Sequence, residues 1–263
     1  MKLGFIGSGN MGKAIIGGVV KSGLYAAEDI IVSELSETAR EAVAKSLGVN
    51  TTYNNKSAAQ ADILFLCVKP NVIYSVIDEI KGAVEKETVV VSIAAGQSIE
   101  KIETAFGKTI KLVRVMPNTP ALVGEGMAAL SPNANVEKNE LDRVAAVFNA
   151  IGKAEVVPEK LMDAVTAVSG SSPAYVFMFI EAMADAAVQG GMPRAQAYTF
   201  AAQAVLGSAK MVLETGLHPG VLKDQVCSPA GTTIDAVAVL EEKGMRSAVI
   251  EAMKACIEKS KSL

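Results

Sequence analysis

The sequence predicts an α/β fold, a doubly wound parallel sheet in the N-terminal part followed by an all-helical domain, and three observations carry that expectation. Short β-branched runs alternate with helical patterns up to about residue 155, the signature of consecutive βαβ units. The turn Gly7-Ser8-Gly9-Asn10-Met11-Gly12 stands directly after the first of those runs. Beyond it all, the composition shifts to Ala, Met, Leu, Glu and Lys, the residues that lose least on becoming helical.

KLGFIG, residues 2 to 7, opens the series as the first strand. Ile30–Ser33, Ile63–Val68, Thr88–Ile93 and Ile110–Val115 follow, each short and apolar enough to be a strand buried on both faces, so the sheet has at least five strands. Glu37–Leu47 and Val72–Val84 space their apolar residues by threes and fours and read as crossover helices, with Gly48 and Gly82 at their ends. Ala154-Glu155-Val156-Val157 before Pro158 reads as a last edge strand. The sheet domain is therefore placed at 1–158 and the helical domain at 159–263.

In the second part, Ser172-Pro173 fits an N-cap followed by proline at the first helical position, and Gly190-Gly191 fits the stop. The helix between them is apolar nearly all round, with Tyr175, Val176, Phe177, Met178, Phe179, Ile180 and Met183, so it belongs in a core or in a subunit interface. Further helices are expected from Pro193 to about Thr215 before Gly216, from about Gly231 to Lys243 before Gly244, and from Met245 onward.

Composition narrows the class of partner. With 25 Lys+Arg against 28 Asp+Glu the net charge is −3, too balanced for an electrostatic hold on nucleic acid or on an anionic membrane. Cys67, Cys227 and Cys256 are odd in number and lack a C-x-x-C spacing, which supports neither a disulfide framework nor a metal site and favours a reducing compartment. The first apolar run is cut short at Gly7 and the later ones by Glu181 and Asp185, short of a signal peptide and of the ~20 residues that span a bilayer. A cytoplasmic protein with a small-molecule partner is expected.

The glycine turn carries the first chemical reading. In G-x-G-x-x-G after a strand and opening a helix, Gly7 permits the tight turn and Gly9 lets the backbone approach a pyrophosphate. Gly12 lets helix and strand pack closely, and the exposed helix N–H groups meet the anion. A Rossmann-type dinucleotide site follows, with Gly7, Ser8, Gly9, Asn10, Met11 and Gly12 as its first contacts. Glu34, 22 residues beyond Gly12 at the end of the second strand, stands where an acid hydrogen-bonds an adenosine ribose diol, which favours NAD. Ser33, Ser36 and Arg40 are near enough to form a ribose-phosphate site instead if Glu34 turns away. Two further strand ends, Cys67-Val68-Lys69-Pro70 and Ser92-Ile93-Ala94-Ala95-Gly96, lie where ligands cross such sheets.

In the helical part, Ser228, Pro229, Ala230, Gly231, Thr232 and Thr233 form a small-residue loop entering a helix, a suitable carboxylate cradle or a plain capping turn. His218, the only histidine, is a surface or cap residue or a catalytic base. Lys210 could serve as the general acid of a β-hydroxyacid dehydrogenase, although a lysine stem on an apolar helix is commonplace. Cys227 has no base beside it to make it a nucleophile.

FIGSGNMG, CVKP, SIAAG, VMPNTPALVGEG, VSGSSPAY and above all LKDQVCSPAGTTIDAV together resemble the pyrroline-5-carboxylate reductase family, from residue 4 to about residue 256. The resemblance implies reduction of the cyclic imine pyrroline-5-carboxylate to L-proline, the last step of proline biosynthesis, with NADPH as cofactor and NADH as the second choice. It implies cofactor contacts at Ile6 to Met11, Cys67, Val68, Lys69 and Pro70, and Ala94, Ala95 and Gly96, with Asn54 as a further contact and Met116, Pro117 and Asn118 bordering the nicotinamide. It places the substrate carboxylate at Ser228, Ala230, Gly231, Thr232 and Thr233, with Thr233 as the proton donor. It also implies a homodimer at least, with a ring of dimers as the larger assembly. A cofactor-sensing protein without turnover is the rival outside enzymes.

Overall fold

A computed structural model describes residues 2–262 of the chain. The sheet contains, among the described residues, eight strands: β1 (Leu3–Ile6), β2 (Ile30–Ser33), β3 (Asn50–Thr52), β4 (Ile63–Leu66), β5 (Val89–Ser92), β6 (Lys111–Met116), β7 (Gly126–Pro132) and β8 (Gly152–Val156). Their order is β3-β2-β1-β4-β5-β6-β7-β8. The pairs from β3 through β6 are parallel, β6 and β7 are antiparallel, and β7 and β8 are parallel to each other. The chain winds outward from β1 in one direction through β2 and β3, then in the other through β4, β5 and β6. The carboxyl ends of β1 and β4 consequently flank the crevice at which such sheets bind ligands.

The strands lie where their apolar runs put them because helices cover both faces. On one face Phe5 and Phe65 stack with ring centroids 4.6 Å apart, and Phe148 packs beside them. Phe148 comes from α6 (Lys138–Asn149), and Ile15, Ile16 and Val19 come from α1 (Asn10–Ser22). On the other face Ile6, Leu64 and Leu66 meet Ile73, Ile77 and Ile80 of α4 (Ile73–Ile80) and Ile102 and Phe106 of α5 (Ile99–Phe106). Full burial of each such side chain contributes about 1.5–3 kcal/mol, which is why the runs carry no polar alternation. α2 (Glu37–Leu47) coincides with its expected span, started by the Ser36 side chain and stopped at Gly48.

Several elements differ from the sequence reading. The strand expected at Ile63–Val68 ends at Leu66, and Cys67 donates one more backbone bond to Ile6 before the chain turns away. α4 ends at Ile80, after which the turn tightens with Ala83 and Val84 both donating to the Ile80 carbonyl, so Val84 stays buried and preserves the spacing that suggested a longer helix. β3 is three polar residues long, and β7 contains glycine, two alanines and a terminal proline. Neither has strand propensity of its own, and both are held by their neighbours' ladders. At the amino end of β6, Lys111 sits between Glu140 and Glu87, each 2.7 Å away, and these carboxylates push its ammonium pKa upward.

The chain divides into two compact units: one takes in everything up to Ser171 together with the end of the chain from Cys256, and the other is Ser172–Ala255. In the first unit, α3 (Asn55–Ala58) follows β3, and the chain leaves the sheet through α7 (Met162–Val165) and a π-helical turn at Thr166–Gly170. The end of the chain is tied to this region by Ser260, whose hydroxyl lies 2.7 Å from Asp163.

The second unit is all-helical: α8 (Ser172–Gln189), α9 (Arg194–Thr215), α10 (Pro219–Val226), α11 (Thr232–Glu242) and most of α12 (Met245–Lys261). α10 is unexpected, and its cap explains His218, whose Nδ1 accepts from the Gly220 N–H at 3.0 Å. The unit's own buried cluster is small, Ala184, Ala197 and Ala201 with Ile180, Met183, Ala187, Val188 and Met192 around them. α8 buries only Ala184, while Phe177 is 64% and Met178 69% exposed. Within one chain, then, only one face of this apolar helix packs in a core, and the face carrying Phe177 and Met178 is left exposed. No helix among the described residues is long and apolar enough to cross a membrane.

Candidate cofactor and substrate sites

β1 delivers the chain to Gly7, which has φ +94, and a Cβ there would lie 2.7 Å from the Cys67 carbonyl oxygen. A Cβ on Gly12 would lie 2.8 Å from the Gly7 carbonyl oxygen, so the third glycine sits where α1 and β1 approach most closely. Gly9 is different. Its φ of −63 suits any residue and a Cβ would meet nothing within 4 Å, so neither sterics nor backbone conformation inside the chain requires glycine there. Gly9 is also the N-cap of α1, whose first turn carries no side-chain cap and no acidic residue. An uncapped, positively polarised helix start with open space before it is what a pyrophosphate needs.

A cleft of about 530 Å³ opens there. Among the residues expected from the sequence it is lined by Ile6, Gly7, Ser8, Gly9, Glu34, Cys67, Val68 and Lys69. It also takes in Ser33, read from the sequence as part of an alternative ribose-phosphate site, and Leu35, Val72, Val76 and Glu79, which the sequence did not single out. Asn54 stands differently from its expected place: its side chain caps α3, accepting from the Lys56 N–H at 3.0 Å. Its neighbour Asn55 lines the cleft instead, buried, accepting from the Ser33 hydroxyl and donating to Glu79, both at 2.7 Å. Two adjacent asparagines look alike in a sequence, and only the helix start tells the cap from the wall.

Glu34 turns toward the glycine turn rather than away from it. One carboxylate oxygen accepts from the Ser8 hydroxyl at 2.7 Å and the Ser8 N–H at 3.1 Å, and the other accepts from the Ser36 N–H at 3.1 Å. Partial burial pushes the Glu34 carboxyl pKa up, but the Ser8 hydroxyl and the N–H groups of Ser36, Ser8 and Leu35 outweigh it and hold the pKa below the usual carboxylate range. The three residues read as an alternative phosphate site each hold a bond within the chain. Arg40 donates to the Glu34 carbonyl, the Ser33 hydroxyl to Asn55, and the Ser36 hydroxyl accepts from Ala39 as the cap of α2.

Burial pushes the Cys67 thiol up to about 12, so it packs as a neutral side chain beside Gly12 and has no thiolate chemistry. After β5, Ala94 is buried, Gly96 has φ +73, and Gln97 accepts a hydrogen bond from the Tyr74 hydroxyl; Ala94, Ala95 and Gly96 are not among the residues lining the cleft. After β6, Asn118 is nearly buried, donates to the Ser169 carbonyl at 3.0 Å and accepts from the Met127 N–H at 2.8 Å, pinning Met116-Pro117-Asn118 to β7 and to the π-helical turn. Met116 packs so closely on Gly170 that a Cβ there would come within 2.7 Å of its methyl. Asn10, Met11, Gly12 and Pro70 stand at the mouth of the same turn and strand end without lining the cleft.

In the second unit, Ser228 to Gly231 form a tight turn closed by the Gly231 N–H donating to the Ser228 carbonyl at 3.1 Å. The Gly231 N–H is therefore spoken for, and the donors left to the loop are those of α11 from Thr232 onward and the hydroxyls. Ala230 has φ +55 and is, among the described residues, the one non-glycine residue in the left-handed region. That strain costs on the order of 1 kcal/mol and persists because the turn must deliver the chain to α11 in this orientation. Thr233 is half-buried in the first turn of the helix, whereas Thr232 is exposed. Lys210 is exposed on α9 and paired with Glu214 one turn away, as a solvated surface lysine would be.

With this geometry in place, comparison with known proteins decides the family. A family model described as pyrroline-5-carboxylate reductase dimerisation matches residues 159–263, and one described as NADP oxidoreductase, coenzyme F420-dependent, matches residues 2–96. The pyrroline-5-carboxylate reductase of Escherichia coli (strain K12) is 56% identical over 263 residues, covering 100% of this chain and 98% of that protein. The chain belongs to the pyrroline-5-carboxylate reductase family. Among solved structures of the family, the Coxiella burnetii reductase superposes with TM-score 0.92 at 36% identity, covering 98% of this chain and 96% of that one. The Plasmodium falciparum enzyme, solved with NADP bound, superposes with TM-score 0.90 at 35% identity, covering 100% of this chain and 97% of that one. For a pyrroline-5-carboxylate reductase the lack of a histidine dyad is no obstacle, because a protonated cyclic imine is electrophilic without a strong base.

Proposed function

We propose that the chain reduces pyrroline-5-carboxylate to L-proline with a reduced nicotinamide dinucleotide, as a cytoplasmic enzyme of proline biosynthesis. The observation that carries this reading is full-length membership of the family together with an open, uncapped α1 N-terminus at Gly9. NADPH follows from the family, with NADH as the second cofactor.

The residues divide as follows. Gly7, Ser8, Gly9, Asn10, Met11 and Gly12 hold the pyrophosphate at the start of α1, and Ile6, Glu34 and Asn54, with the neighbouring Asn55, serve the adenosine side. Cys67, Val68, Lys69, Pro70, Ala94, Ala95 and Gly96 present backbone and small side chains along the strand ends, and Met116, Pro117 and Asn118 border the nicotinamide. When bound, the reduced nicotinamide supplies the hydride. Ser228, Ala230, Gly231, Thr232 and Thr233 hold the substrate carboxylate with hydroxyls and the α11 N–H groups. The Thr233 Oγ1 hydroxyl holds a proton at the ring nitrogen. A hydroxyl is a poor acid by itself, so its contribution is position and relay from water rather than a shifted pKa.

On this reading 1–158 is the cofactor domain and 159–263 binds substrate and dimerises. The homodimer covers the exposed apolar surface of α8 and α9, where Phe177, Met178, Phe200 and Leu213 stand in water in the single chain, and a ring of dimers is the larger assembly. In sedimentation the active species is expected to exceed the 27.3 kDa of one chain. A folded, active monomer contradicts this.

Turnover is tested by following absorbance of NADPH, and of NADH alongside, when pyrroline-5-carboxylate is added to the purified protein. Imine-dependent oxidation is expected. Tight cofactor binding with no oxidation would favour the sensing protein, and alcohol-dependent reduction of NAD lost in Lys210→Ala would favour the dehydrogenase.

A further inference from the structure

The cleft holds two carboxylates at its outer end, Glu34 and Glu79, against one cation, Lys69. Glu79 is bound by the Asn55 amide, and Glu34 is fixed by three donors from two segments, the Ser8 hydroxyl and N–H and the Ser36 N–H. Of the side chains that could meet a phosphate there, Ser33 spends its hydroxyl proton on Asn55, the Ser36 hydroxyl accepts from the first turn of α2, and Arg40 spends one N–H on the Glu34 carbonyl. For a phosphate to enter beside the end of β2, the Glu34 carboxylate must give up all three bonds and leave.

An unphosphorylated ribose makes the opposite demand. Its vicinal hydroxyls are donors, and a carboxylate at the end of the second strand of such a fold is an acceptor in the place where those hydroxyls are read. A dianionic phosphate beside the same carboxylate is repelled, and more strongly in a partly buried cleft than in water. From this we infer that Glu34 sets the cofactor choice of the chain, holding the adenosine end of the cleft to an unphosphorylated ribose and so discriminating against NADPH in favour of NADH. The inference rests on the cleft being the dinucleotide site, and it departs from the NADPH expectation that family membership brings.

The test uses fragments that carry the adenosine end alone. Dissociation constants of ADP and of 2′,5′-ADP are measured by calorimetry on wild type, Glu34→Gln and Glu34→Ser, each checked by thermal melting. Wild type is expected to bind ADP at least tenfold tighter than 2′,5′-ADP. Glu34→Gln, which keeps size but loses charge, and Glu34→Ser, which also opens space, are expected to shift that ratio at least tenfold toward 2′,5′-ADP. A wild type that prefers 2′,5′-ADP, or a ratio unmoved by both variants, overturns the role of Glu34 while leaving the dinucleotide site in place. Failure of wild type to bind either fragment removes the site itself and the inference with it.

Discussion

Gly9→Ala is expected to raise the dissociation constant for NADH and NADPH by about a hundredfold while moving the melting temperature of the free protein by no more than about 2 °C. The two halves of that result come from different facts. Within the chain a methyl group on Gly9 meets nothing within 4 Å and the backbone there has an ordinary φ of −63. Alanine is a poorer N-cap than glycine by about 0.5–1 kcal/mol, and the entropy it removes from the unfolded chain offsets about 0.4–1 kcal/mol of that, so for a chain of this size the melting temperature moves by about two degrees or less. The same methyl projects into the open space before α1, where the pyrophosphate must touch the backbone, and a displacement of about 1 Å at such a contact costs roughly 10²-fold. Fluorescence titration and a thermal melt on one preparation read both. An unchanged dissociation constant would contradict the cofactor site, because no structural reason for Gly9 remains to explain it away. Gly12 could not serve for this test, since a Cβ there strikes the Gly7 carbonyl at 2.8 Å and would alter the fold and the binding together.

Thr233→Ala is expected to lower kcat by about 10²-fold with KM for the imine changed by less than about threefold, and Thr233→Ser to recover most of the loss. Thr233 is half-buried in the first turn of α11, immediately after the strained turn at Ala230, so its position is set by backbone that the chain maintains at a cost. If the hydroxyl holds the proton at the ring nitrogen, its value lies in the step where that nitrogen gains a proton. Removing it then weakens the transition state more than the bound substrate. A rise in KM with kcat unchanged would reduce Thr233 to a carboxylate ligand, and no change in either would remove it from the site. The pH profile of kcat separates a relay from mere packing, because a packing loss leaves its shape unaltered.

Much of the fold was legible because the chain obeys simple periodicities. The strands at Ile30–Ser33 and the helix at Glu37–Leu47 were marked by continuous β-branched runs and by three-and-four spacing between a serine cap and a glycine stop. β3 and β7 were not, since Asn50–Thr52 and Gly126–Pro132 are strands only by virtue of the neighbours that pair with them. α10 was hidden for a similar reason: eight residues with proline first, begun by a histidine that a sequence presents as a catalytic candidate and the structure uses as a cap. Of the cofactor site, the glycine turn was legible: Gly7 and Gly12 answer steric demands inside the chain, whereas Gly9 meets none there and its place in the motif points outward to a ligand. The direction of Glu34 was not, since whether a carboxylate faces the ribose or the solvent depends on Ser8, a residue 26 positions away whose hydroxyl binds it. Asn55 was not marked at all, since that it lines the cleft while the Asn54 side chain caps α3 depends on where α3 begins.

The central claim, that this chain transfers a hydride from a nicotinamide to the imine carbon of pyrroline-5-carboxylate, is tested most directly by isotope. Reduced cofactor with both C4 hydrogens of the nicotinamide replaced by deuterium is incubated with pyrroline-5-carboxylate and the protein, and the product is examined by mass spectrometry and NMR. The account predicts L-proline carrying one deuterium at C5, with the nitrogen proton drawn from solvent. Proline without deuterium, or no proline from a protein that binds the cofactor, would contradict it.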